Sequence, residues 1–130
     1  MPELERIMHI EDDPSIQEVA RVALEIVGGF TVMSCSSGME GLEKLEAFAP
    51  QLILLDVMMP EMDGPATLVK LRQTASAASL PVVFMTAKVQ SHEIEEYHQL
   101  SAAGVIVKPF DPMTLANQLR HIWNNTREQL

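Results

Sequence analysis

Leu52-Ile53-Leu54-Leu55-Asp56-Val57-Met58-Met59-Pro60-Glu61-Met62-Asp63-Gly64 is the stretch on which the reading of this chain turns. Four apolar residues run without a polar break into an acid, and a proline-containing turn follows. A short apolar run of that kind predicts a strand buried on both faces. Such a strand delivers its last residue, Asp56, to the open edge of a sheet. Pro60, Asp63 and Gly64 then supply loop chemistry before helical periodicity resumes. A carboxylate held at the end of a buried strand needs partners, because an unpaired charge there is costly.

Working outward, alternation appears on both sides. Arg6 to Ile10 reads as a first strand, followed by Glu11, Asp12 and Asp13. Asp13 suits an N-cap and Pro14 the first helical position. Ile16, Val19, Ala20, Ala23 and Val27 recur at helical spacing until Gly28-Gly29. Phe30 to Cys35 reads as strand 2. Ser36-Ser37-Gly38 leads into a helix carrying Met39, Leu42, Leu45 and Phe48, closed before Pro50. Strand 3 spans Gln51 to Leu55, and a helix from about 64 to 75 carries Ala66, Leu68, Val69 and Leu71. Strand 4 is Val82 to Met85, ending at Thr86. A polar helix over about 91 to 102 precedes strand 5, Gly104 to Val107, which ends at Lys108-Pro109. The last helix spans about 112 to 124, with Leu115, Leu119 and Ile122 on its apolar face.

Five strands alternating with five helices predict an α/β fold, a doubly wound parallel sheet of order 2-1-3-4-5, flavodoxin-like, with helices on both faces. Strands 1 and 3 then flank the switch point, where ligands bind beyond the carboxyl ends. Glu11, Asp12 and Asp56 meet there, and Thr86 and Lys108 join the same rim. Converging carboxylates raise one another's pKa unless a cation lies between them. All-oxygen ligands suit Mg²⁺, usually completed by water and phosphate oxygens. Asp56 can then attack phosphorus and form an acyl phosphate. Lys108 pairs with another phosphoryl oxygen, and the Thr86 hydroxyl donates to a third.

Composition narrows the field. At 130 residues, 47% hydrophobic and 21% charged, the chain is expected to be a single globular domain over 1–130. No apolar run approaches the roughly 18 residues of a membrane span. The acidic start and the single cysteine, Cys35, fit a reducing cytoplasm and no secretory leader. A net charge of −9 argues against nucleic acid as a partner.

Four pieces resemble the response-regulator receiver domain of two-component signalling, of the chemotaxis-regulator type. They are Glu11-Asp12-Asp13, Asp56 with Met59-Pro60 and Asp63-Gly64, Thr86-Ala87, and Lys108-Pro109-Phe110. Any one alone is weak, but all four in order at the ends of alternating strands are specific, and the resemblance covers essentially the whole chain. It implies that Asp56 accepts a phosphoryl group from a histidine kinase or histidine phosphotransfer protein. It implies Mg²⁺ on Asp12, Asp56 and the Met58 carbonyl, with Glu11 acting largely through a metal-bound water. It also implies a cis Lys108–Pro109 bond. Homodimers through helix 4, strand 5 and helix 5 are a family habit that this sequence neither requires nor forbids.

The resemblance is incomplete. Many relatives carry Tyr or Phe three residues before the lysine, where this chain has Val105, which is stiff and short. Met58 and Lys88 stand where family members tune phosphoryl lifetime. An apolar Met58 and a cationic Lys88 lead us to expect a longer lifetime than polar groups at both positions give. The expected function is a phosphorylation-controlled switch that catalyses only its own phosphorylation and dephosphorylation, with no output domain. A phosphorylation-independent docking module and a receiver fragment of a hybrid kinase or larger regulator are the alternatives. A haloacid-dehalogenase-type phosphatase would want an acid two residues after the nucleophile, where Met58 stands. The four histidines lack metal-ligand spacing, the methionines read as core filler, and Cys35 reads as a small buried hydrophobe.

Overall fold

The computed structural model describes residues 2–87 and 91–128. Five parallel strands form one sheet in the order β2-β1-β3-β4-β5. They are β1 Arg6–Ile10, β2 Thr31–Cys35, β3 Leu52–Asp56, β4 Val82–Thr86 and β5 Gly104–Val107. All five residues of β3 and of β4 are buried, as strands covered on both faces must be, whereas edge strands β2 and β5 keep exposed positions. The expected order and doubly wound plan are what the chain adopts. Asp56 is the last residue of β3, as the apolar run ending in an acid predicts, and the strand starts at Leu52 instead of Gln51.

Alternation along the strands divides the core in two. On one face α1 (Pro14–Val22) and α5 (Leu115–Glu128) cover Ile7, Leu52, Leu54, Val83, Met85 and Ile106. On the other, α2 (Gly38–Phe48), α3 (Gly64–Arg72) and α4 (Ser91–Gln99) cover Met8, Ile10, Ile53, Leu55, Val82 and Phe84.

Caps explain the helix starts. The Asp13 side chain accepts from Ser15 N at 2.8 Å, Ser37 from Glu40 N at 3.1 Å, and Asp63 from Ala66 N at 2.9 Å. The helix ends depart from expectation in informative ways. The run toward Gly28 finishes as a π turn over Ala23–Val27, with Gly28 N–H donating to Ala23 O. α3 stops at Arg72, and a 3₁₀ turn at Ala75–Ala77 follows. α4 stops at Gln99 because Ser101 adopts φ +65°, with Ser101 N–H donating to His98 O and Ala102 N–H to Tyr97 O. That is a Schellman ending with serine where glycine would advertise it. α5 begins at Leu115, because the preceding turn is closed by the Asp111 carboxylate accepting from Met113 N.

Some residues on the expected apolar faces lie outside. Val19, Val27, Met39 and Val69 are exposed, and α1 instead packs through Ala20. Small side chains let that helix sit close to the sheet and turn its valines outward. The methionines also divide: Met8, Met59 and Met85 are core, whereas Met39, Met58 and Met113 are exposed.

Candidate functional site

The site forms where β1 and β3 end side by side. Glu11 prolongs β1, its N–H donating to Cys35 O at 2.9 Å. Its side chain is 1% exposed and that of Asp56 2% exposed, whereas Asp12 is open to solvent. Carboxylate oxygens of Glu11, Asp12 and Asp56 all lie within 4.8 Å of one another. This acidic cluster is able to bind a metal ion.

The loop after β3 holds Asp56 in register. Val57 N–H donates to Met85 O at 3.1 Å, and Gly64 N–H returns to Val57 O at 2.9 Å. A Cβ at residue 64 would stand 2.6 Å from Asp56 O and 2.8 Å from Val57 Cα, so only glycine allows the loop to close on the strand end. Met58 lies in this loop with its side chain exposed, and Met59 beside it is buried.

Lys108 enters from beyond β5, placed by a 2.9 Å bond from its N–H to Thr86 O and by a cis peptide to Pro109, as expected. Its Nζ donates to Glu11 Oε1 at 3.0 Å and to Asp56 Oδ1 at 2.8 Å. Burial works against the Lys108 ammonium, but hydrogen bonds to Asp56 and Glu11 outweigh it and hold its pKa above the ordinary lysine value. Burial, with the Asp56 charge adding, pushes Glu11 up to about 7 against the pull of Lys108. Among the described residues the pocket sets three carboxyl groups against one ammonium. A cleft of about 370 Å³, lined by Ser15, Ile16, Val19, Ala87, Lys108, Pro109 and Phe110, opens beside it.

Thr86 ends β4 and is 1% exposed. By alternation with Val82 and Phe84, its side chain faces the α2–α4 side. Val105 is the register partner of Phe84 and packs into the same core. Lys88 lies outside the described residues.

Three groups escaped the sequence pattern. Gln17 reaches back from α1, its amide donating to Glu11 O and Cys35 O, which ties the ends of β1 and β2 together. His9 is fully buried one strand position pair below Glu11, and burial, with the Lys108 charge second, pushes its imidazole down to about 4. Tyr97 of α4 is buried, its ring tilted against that of Phe84 with centroids 4.9 Å apart. The available signal for Tyr97 was a single aromatic among the glutamates of an otherwise polar helix. For His9 it was a polar residue inside an apolar strand. Cys35 is buried, with its thiol pushed up to about 11 chiefly by burial, as befits a small hydrophobe.

Comparison with known proteins adds independent findings. A family model described as the response regulator receiver domain matches residues 7–120. The response regulator Rre1 of Synechocystis is 34% identical over 116 residues, covering 89% of this chain and 50% of that protein. A probable C4-dicarboxylate response regulator, DctR, of Priestia megaterium is 37% identical over 105 residues, covering 80% of this chain and 45% of that protein. The chain thus spans about half the length of these curated relatives. Among solved structures, the Vibrio cholerae chemotaxis protein CheY4 superposes with a TM-score of 0.85 at 26% identity, covering 92% of this chain and 98% of that one.

Proposed function

The chain belongs to the response regulator receiver family of two-component signalling, and on that footing we propose that it is a switch thrown by phosphorylation of Asp56. Receiver domains are signalling domains that interact with histidine kinases, and a histidine kinase or histidine phosphotransfer protein is the proposed donor. The observation that carries the reading is the convergence of Glu11, Asp12 and Asp56 within 4.8 Å, with Lys108 bonded to two of them.

An Asp56 carboxylate oxygen attacks phosphorus, the new O–P bond forms as the P–N bond of the donor phosphohistidine breaks, and the imidazole leaves. Lys108, already 2.8 Å from Asp56 Oδ1, exchanges a carboxylate contact for a phosphoryl oxygen. Thr86 donates its hydroxyl to a second phosphoryl oxygen. The donor set fits Mg²⁺: three carboxylates, two buried and one exposed, face a single ammonium among the described residues. Asp12, Asp56 and the Met58 carbonyl would hold it, with Glu11 beside them. Its chemistry there is to neutralise charge on the phosphoryl group. The catalysis is confined to the protein's own phosphorylation and dephosphorylation, with Met58 and Lys88 setting the lifetime. Among the described residues no helix is long and apolar enough to cross a membrane; the cytoplasm is the proposed location.

Intact mass after incubation with a small acyl-phosphate donor tests this. One phosphoryl adduct is expected in wild type with Mg²⁺, and none in Asp56→Asn or after chelation. Absence of an adduct on the folded wild type would favour a docking module, and an adduct on the variant would mean another carboxylate is the acceptor.

A further inference from the structure

Two of the three converging carboxylates are anchored through their own side chains. Glu11 Oε1 and Asp56 Oδ1 accept from Lys108 Nζ at 3.0 and 2.8 Å, and Glu11 Oε2 accepts from Asp13 N at 3.2 Å. Asp12 differs. It is exposed, and its carboxylate accepts no hydrogen bond among the described residues. Its aim is therefore set by the backbone on either side of it, and one residue holds both sides. Gln17, the fourth residue of α1, donates its own N–H to Asp13 O at 3.0 Å and its side-chain amide to Glu11 O. The same amide lies 3.4 Å from Cys35 O and 3.3 Å from Ser36 Oγ, at the end of β2. Glu11 O belongs to the planar peptide group that joins Glu11 to Asp12, so the amide fixes the plane from which Asp12 departs. The direction of the helix makes the reach possible. α1 runs away from the carboxyl edge of the sheet, and helical side chains tilt toward their own N-terminus, which points Gln17 back at the loop.

We propose that Gln17 is the positioning residue for Asp12: by pinning the carbonyls on both sides, it aims the one carboxylate that lacks an anchor of its own at the divalent cation of the phosphoryl site. This rests on the cation and phosphoryl-acceptor reading above and adds a residue to it. Mg²⁺ demands near-ideal octahedral geometry, so a ligand that must first be ordered costs affinity. A partner that orders the ligand in advance removes that cost, and losing such partners weakens metal binding by about 10- to 100-fold.

Gln17→Met keeps an unbranched side chain of similar length and helix propensity and removes the amide donor. Mg²⁺ affinity of the full chain is to be measured by titration calorimetry, beside urea unfolding in chelator and amide ¹H–¹⁵N spectra. The Mg²⁺ dissociation constant is expected to rise about ten-fold, and the Asp12 and Asp13 amide signals to move in the metal-free protein. A merely structural glutamine would lower the urea midpoint and leave the affinity of the folded protein unchanged. In an Asp12→Asn background Gln17→Met is expected to change Mg²⁺ affinity no further, since both act through one ligand. Should Gln17→Met fail to fold, Gln17→Ala carries the same expectations. Unchanged Mg²⁺ affinity, or an equal loss in the Asp12→Asn background, overturns the inference and leaves phosphorylation of Asp56, followed by mass on the same samples, standing. A wild type that binds no Mg²⁺ overturns the inference together with the cation reading.

Discussion

On the α1–α5 face of the sheet, Ile7, His9 and Glu11 run up beside Leu52, Leu54 and Asp56, so that a polar ring and two carboxylates are set into an apolar layer. On the α2–α4 face, Met8 and Ile10, Ile53 and Leu55, and Val82 and Phe84 are apolar until Thr86. The same five strands thus keep charge on one side and a neutral layer, closed by Thr86, on the other. A buried charge must be held by fixed partners, since an unpaired one is expensive. A neutral hydroxyl costs far less to bury than a charge. The charged face is the one that carries the proposed phosphoryl acceptor, Asp56.

The most severe way to break this contrast is to remove the cation of the charged face. Lys108→Met leaves Glu11 and Asp56 buried and facing each other, and is expected to cost about 3 kcal/mol in urea unfolding with chelator at pH 7.5. Added Mg²⁺ should return part of that loss. Unchanged stability in chelator would mean that the acids are held by something other than the ammonium.

A gentler test uses protons. Glu11 titrates at about 7 in the folded protein, above the ordinary glutamate value, so its contribution is complete below about 4.5 and is lost as pH rises through about 7. His9 is depressed to about 4, so its contribution is complete above about 6.5 and is lost as pH falls through about 4. Between pH 6.5 and 4.5 the two slopes oppose each other, and metal-free wild type should be nearly flat. His9→Leu should uncover Glu11 and gain stability on acidification across that window. Glu11→Gln should uncover His9 and lose stability on acidification. Parallel slopes in the two variants, by denaturation at stepped pH, would remove both groups from the explanation.

The smallest effect concerns how helices on the two faces end. Behind the α1–α5 layer the chain turns through Gly29 at φ +76°, but α2 turns through Ala49 at φ +53°, a conformation that disfavours any Cβ. Ala49→Gly is expected to stabilise by about 1 kcal/mol, read as a rise in the thermal midpoint. No rise would mean that the added freedom of the unfolded chain cancels the relieved strain.

The strands and the acid rim were legible because each rests on a short-range rule. An apolar run ending in Asp56 can hardly be anything other than a central strand, and Glu11-Asp12 at the end of another strand places its own partners. What remained hidden depends on contacts distant in sequence. Val105 reads as the loss of an aromatic partner for Thr86, because nothing local in Tyr97 tells that its ring crosses to Phe84. The stop of α4 is hidden for a different reason, since Ser101 takes a left-handed turn without glycine. His9 in β1 has the periodicity of a core residue and is one. Its ring nitrogens, and Ser34 Oγ opposite it in β2, make no hydrogen bond among the described residues, a circumstance no pattern of residue types discloses.

That serine turn has a mechanical side. Arg72, at the end of α3, donates to Ala77 O and Leu80 O and to both the carbonyl and the hydroxyl of Ser101. One planar group therefore clamps three segments at the lower end of α4, and a lysine could not span the same four acceptors. A helix fixed at one end moves as a lever. Along its axis Tyr97 lies roughly 6 Å from that pivot and Ser91 roughly 15 Å, at 1.5 Å per residue. Any displacement of α4 about that clamp would grow toward Ser91, to somewhat more than twice its size at Tyr97.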